Sequence, residues 1–128
     1  AVAGHQGYLV CKSGAVRVLS STSFPLGVEN DTTIPSSPAI VLQTGDILVM
    51  PTDGTEEAMS PEGTAFGQER MLNVVRTNRK KSAAQIVNAL FLAARDFTHR
   101  RPQEDDITAL IVKVLPTAGS QASNQKAR

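Results

Sequence analysis

Tryptophan is absent from the sequence and tyrosine occurs once. With aromatics at only 4% of 128 residues, the core cannot be organised around stacked rings. The hydrophobic fraction of 41% still supports one, and it has to be aliphatic: Val, Leu, Ile, Ala and Met. A single cysteine, Cys11, excludes an internal disulfide. Its place in GYLVCK reads as a packed strand position, compatible with a reducing compartment. No apolar run approaches the roughly 20 residues that a membrane span needs. The chain does not open on a basic-then-apolar leader either. A cytoplasmic location, with no membrane contact from this segment, is therefore expected. Charge of one sign is also missing, with 13 Lys and Arg against 12 Asp and Glu. That balance removes the bulk electrostatic footprint of a nucleic-acid partner. The local run RTNRKK, residues 76–81, reads as a solvated linker between helices.

Several catalytic signatures are absent as well. There is no G-x-S-x-G, no Walker loop and no G-x-G-x-x-G. The only histidines are His5 and His99. His99 lies in THRR at a helix end, where cations suit the helix dipole.

A chain of this length suits one domain. It begins AVAGHQGYLV, without an initiator Met, so Ala1 is not expected to be a natural start. Residues 7–12 and 15–20 are β-type runs split by Ser13-Gly14, which is hairpin chemistry. Residues 21–38 carry Pro25, Gly27, Asn30, Asp31, Pro35 and Pro38 and read as a long connection. A second strand pair is predicted at 39–43 and 47–50. Their apolar residues are successive rather than alternating, as in strands covered on both faces. Residues 54–66 are polar and turn-rich. A helix is predicted over 68–77, with Met71, Leu72, Val74 and Val75 on its apolar side. A clearer one starts at Ser82, where Ser82 and Gln85 match a capping box. Ile86, Leu90, Ala94 and Phe97 form its stripe, widened by Val87 and Phe91. Pro102 closes that segment. Residues 107–115 are the most β-like run, stopped by Pro116, and 117–128 read as a disordered tail. Strands first, then helices, then a returning strand indicate an α+β domain with antiparallel pairing.

The apolar run 47–50 leads into Asp53, and Asp105-Asp106 stand just ahead of the last strand. Both are either ordinary strand-end turns or a pair of carboxylates brought together for a metal. If the two strands are antiparallel neighbours, the end of one meets the start of the other. Asp53 then faces an Asp of the 105–106 pair on one edge, where hard cations such as Mg²⁺ and Mn²⁺ find oxygen ligands. Spacing alone leaves both readings open.

The segments AGHQGYLV, FPLGV, LQTGDILVMPTDGTEEAMSPEGTAFGQERM and EDDITALIVKV occur in this order. In combination they resemble the bacterial serine/threonine phosphatases of the stage II sporulation protein E type, in the metal-dependent protein phosphatase 2C superfamily. The likeness runs over residues 3–114. It implies antiparallel β-sandwich layers flanked by two helices, and two Mn²⁺ or Mg²⁺ ions in a cleft. The implied reaction is hydrolysis of phosphoserine or phosphothreonine by metal-activated water, on a phosphoprotein such as an anti-sigma-factor antagonist. By the family pattern Asp53 is a metal ligand, Asp105 is favoured over Asp106 as another, and Gly54 permits the turn after Asp53. His5 belongs to the family signature, with a structural hydrogen bond as its expected role.

The departures are as informative. The family's first metal motif, which supplies the Asp bridging both ions, does not occur in these residues, and half of the sandwich is expected to be missing with it. AGHQG lacks the usual proline-containing continuation, and Glu56 stands where the family commonly has Thr. Residues 1–116 are therefore expected to be the C-terminal portion of such a domain, inactive by itself. The alternative is a non-catalytic, degenerate phosphatase-like interaction or oligomerisation module. A partial sandwich should expose an aliphatic face and free strand edges, so a homo-oligomer, or association with the N-terminal half, is expected.

Overall fold

The computed structural model describes residues 4–102 and 106–117. Among the described residues seven elements follow one another: β1 (Gly7–Val10), β2 (Val16–Leu19), β3 (Ile47–Pro51), α1 (Asp53–Glu56), α2 (Gly67–Thr77), α3 (Ala83–Phe97) and β4 (Ala109–Lys113). The strands form one sheet in the order β2-β1-β3-β4, every neighbouring pair antiparallel. The expected tail, apart from Thr117, lies outside the described residues. Among the described residues, no helix is long and apolar enough to cross a membrane.

Local chemistry explains most of these elements. The β1–β2 turn closes through Cys11 N–H to the Ala15 carbonyl at 2.8 Å, with Gly14 at φ 93°. Only glycine adopts such a torsion without cost. Ser82 starts α3 with both arms of the capping box: its hydroxyl accepts from the Gln85 amide, and the Gln85 side chain accepts from the Ser82 amide. Reciprocal capping of this kind satisfies two otherwise orphaned donors. Within the α2–α3 connection the Lys113 ammonium donates to the carbonyls of Arg79 and Lys81.

The predicted strand at 39–43 does not form. That segment joins no strand of the sheet, and Val41 is 87% exposed. The reason is positional. Both edges of β3 are already occupied, by β1 and by β4, so a hairpin partner arriving from 39–43 has no place beside it. The intervening turn is held differently, by the buried Asp46 carboxylate, which accepts from the amides of Lys12 and Gln43.

One face of the sheet carries the core. Tyr8, Val10, Ile47, Val49 and Ile111 pack against Met71, Leu72 and Val75 of α2 and Ile86, Leu90 and Ala94 of α3, with Phe66 at the entrance of α2. Residues directly opposite on neighbouring strands share a face, and the next pair points the other way. The register pairs Leu9 with Leu48, Leu48 with Val112, and Met50 with Leu110, so these side chains line the opposite face. Leu9 is buried there and Leu48 half-buried, but towards β4 the face is apolar and uncovered, with Met50 39%, Val112 42% and Leu110 55% exposed. The described residues thus form one sheet with two main helices on one side.

Candidate functional site

β3 ends with Pro51 opposite Ala109 of β4. Thr52 then continues the junction. Its amide donates to the Thr108 carbonyl at 2.8 Å. Its hydroxyl oxygen lies 3.2 Å from the Asp106 carbonyl and accepts from the Thr108 amide at 3.0 Å. The chain turns at once into α1, closed by Glu57 N–H to the Asp53 carbonyl at 2.8 Å. Gly54 and Thr55 are buried in that turn, and the Thr55 hydroxyl donates to the Thr108 carbonyl. Two threonines thus bind the approach to β4, while the carboxylate between them points away: the Asp53 side chain is 68% exposed.

The entry to β1 supplies the opposite wall. His5 Nδ1 lies 3.1 Å from Asp53 Oδ1. The Tyr8 hydroxyl donates to Glu56 Oε1 at 2.7 Å. Tyr8 is buried to 1% exposure. Burial first, then the hydrogen bond and the negative charge of Glu56, push its phenol far above the ordinary range, so it remains a protonated donor. Gly4, His5, Gln6, Tyr8, Pro51, Thr52, Asp53 and Glu56 enclose a polar cleft of about 110 Å³. A larger apolar hollow of about 250 Å³ opens between α3 and β4, but no titratable side chain lines it. The chemistry resides in the smaller cleft.

The conditional step in the sequence reading is met: β3 and β4 are antiparallel neighbours, so Asp53 and Asp106 enter the same edge, joined through Thr52. Asp105 lies outside the described residues. Among the described residues, no group of three His, Cys, Asp or Glu side chains is arranged to hold a metal ion. The Tyr8–Glu56 contact was missed by sequence reasoning. The available signal was a lone tyrosine within an apolar strand, whose hydroxyl needs a partner when the ring is buried.

The sequence profile described as Stage II sporulation protein E matches residues 1–115. No curated protein matches the chain in sequence. Among solved structures, the SiaA-PP2C domain of Pseudomonas aeruginosa is similar, at 21% identity and a TM-score of 0.70, over 87% of this chain and 44% of that one. The PP2C phosphatase domain with a fragment of the regulatory domain of the cell fate determinant SpoIIE from Bacillus subtilis is similar too. It shares 19% identity at a TM-score of 0.72, over 88% of this chain and 32% of that one. At these identities the likeness is one of fold, and the chain spans less than half the length of either structure.

Proposed function

Because the chain belongs to the stage II sporulation protein E family, we propose that the protein carrying it hydrolyses phosphoserine or phosphothreonine on a bacterial signalling protein. An anti-sigma-factor antagonist is the substrate class that the family likeness favours. The observation that carries the reading is the β3–β4 edge, where an exposed Asp53 carboxylate borders a polar cleft and Asp106 enters alongside.

Mn²⁺ or Mg²⁺ suits this edge in donor chemistry, since both take hard oxygen ligands and Asp53 presents a carboxylate to solvent. Asp53 and Asp105 are the proposed ligands, with Asp106 the less favoured candidate. The described residues make one corner of such a site, and its remaining ligands come from outside them. Two bound ions supply an activated water and positive charge against the phosphoryl oxygens. The chain's own residues hold the geometry. Thr52 and Thr55 fix the backbone on either side of Asp53, and the Tyr8 hydroxyl engages Glu56, so that this second carboxylate is held within the cleft wall.

The uncovered sheet face bears on the second reading, a non-catalytic interaction module. We assign its cover to the remainder of the phosphatase domain. More than half of each matched structure lies outside the part that this chain resembles, and an apolar face of this kind recruits a second layer. Phosphate release from phosphopeptides by the intact protein, with and without Mn²⁺, tests both readings. Metal-dependent turnover that is lost in Asp53→Asn supports the phosphatase. Turnover that survives Asp53→Asn overturns the assignment of the site. No turnover by the intact protein at any Mn²⁺ concentration selects the interaction module.

A further inference from the structure

The entry to β1 touches α1 at two points, His5 to Asp53 and Tyr8 to Glu56, each spanning 48 residues of sequence. Neither contact follows from local sequence. Both are made possible by β1 lying beside β3 in the sheet. The two contacts grip opposite ends of the single helical turn that presents Asp53.

His5 is itself held in place by the residue before it. Gly4 adopts φ +89°. Its amide donates to the Ser21 hydroxyl at 2.9 Å and the Ser23 carbonyl at 3.2 Å. A Cβ at position 4 would stand 2.9 Å from Pro25 Cγ, closer than real Cβ contacts allow. Position 4 thus requires glycine both for its torsion and for the close approach of Pro25. The loop after β2 thereby sets where the imidazole stands.

The hydrogen in the His5–Asp53 contact has one source. An ionised carboxylate only accepts, so Nδ1 carries the proton and donates to Oδ1. The terminal torsion of a free aspartate is broad, and Asp53 is exposed, so without a partner its two oxygens would exchange roles. The imidazole makes them inequivalent. We propose that His5 is a positioning residue: its Nδ1–H holds Oδ1 of Asp53 and so reserves Oδ2 for a divalent cation, while Tyr8 and Glu56 anchor the other end of the same turn. The proposal rests on the reading of Asp53 as a metal ligand. Partners that orient a metal ligand typically contribute about 10–100-fold in metal affinity.

The test is Mn²⁺ affinity of the intact protein by isothermal titration calorimetry, alongside its metal-free melting temperature. Asp53→Asn first establishes the site; if its Mn²⁺ affinity equals that of the parent protein, the metal-ligand reading itself fails. Provided that Asp53→Asn weakens binding, His5→Leu should weaken it by about 10-fold. His5→Asn should retain most of the affinity, because its amide nitrogen occupies the place of Nδ1. His5→Gln, whose amide reaches the place of Nε2 instead, should not. In turnover assays the His5→Leu loss should be recovered at high Mn²⁺, with KM for the phosphopeptide unchanged. A merely structural role would lower the melting temperature and leave Mn²⁺ affinity alone, and that result overturns the proposal. If His5→Leu does not fold, equal Mn²⁺ affinities of His5→Asn and His5→Gln overturn it in the same way.

Discussion

Replacing Tyr8 by Phe removes one hydroxyl and leaves a buried ring in place. The ring packs in the core at 1% exposure, so no cavity beyond the oxygen is opened. The lost interaction is the 2.7 Å hydrogen bond to Glu56. Hydrogen bonds to charged groups contribute about 1.5–3 kcal/mol. Glu56 is only half-buried and can recover water, which places the expected loss at the lower end, about 1–2 kcal/mol near neutral pH. The pH dependence carries a definite sign. The folded pKa of Tyr8 is raised above its unfolded value of 10.0. Its contribution is therefore fully present below pH 10 and is lost as pH rises towards the folded pKa. Over that window the wild type loses about 1.4 kcal/mol per pH unit, because only the unfolded state can ionise. Phe has no proton to release, so the advantage of Tyr over Phe should vanish at roughly pH 11 and then reverse. Urea unfolding of both proteins across this range reads the difference. Tyr8 is the only tyrosine of the chain, so near-ultraviolet phenolate absorbance assigns the titration without ambiguity. A phenol that ionises near pH 10 in the folded chain, or a Phe variant equal to wild type at neutral pH, refutes the account.

The 128-residue chain alone should not hydrolyse p-nitrophenyl phosphate with Mn²⁺, since its described residues lack a three-ligand cluster; robust turnover would show that the chain completes its own site. In the intact protein, Asp53→Asn should lower phosphopeptide hydrolysis by at least about 100-fold while circular dichroism stays unchanged, since the carboxylate is exposed and its bond to His5 contributes under about 1 kcal/mol to stability. Asp105→Asn should follow it and Asp106→Asn should be milder; the reverse order would shift the ligand by one residue. Leu90→Ala, at 1% exposure between α3 and the sheet, should cost about 2–5 kcal/mol in denaturant unfolding, and a loss below 1 kcal/mol would mean that α3 is not seated as described. Sedimentation of the chain by itself should show association through the uncovered sheet face, and substituting Leu110 by Lys should abolish it; a monomer at high micromolar concentration would mean that this face tolerates water.

What could be read from the sequence divides along the range of the forces involved. The start of α3 was legible because a capping box is complete within four consecutive residues, Ser82 to Gln85. The stripe Ile86, Leu90 and Ala94 was legible because helical periodicity is a property of the segment alone, and all three are buried as the spacing requires. The false strand at 39–43 has the same local merits, being apolar and followed by a turn with glycine. Whether such a run pairs depends on which sheet edges remain free. β4, whose sequence lies beyond both helices, takes the edge of β3 that 39–43 would have used. No window of sequence around residue 40 contains that information.

The site follows the same division. Asp53 at the end of an apolar strand was visible, and its meeting with the start of the last strand could be stated as a condition on pairing. Antiparallel β3 and β4 satisfy that condition, with Pro51 opposite Ala109. The wall made by His5 and Tyr8 depends on a further fact, the register Tyr8 to Val49 between β1 and β3. A shift of one residue would turn every side chain of β1 to the other face. Tyr8 would leave the core and lose Glu56. The seating of Tyr8 and Val10 against the helices therefore fixes more than packing. The apolar face of β1 sets the register, and the register brings a hydroxyl to Glu56 and an imidazole to Asp53. In this chain the geometry of the polar cleft is a consequence of how the aliphatic core is paired.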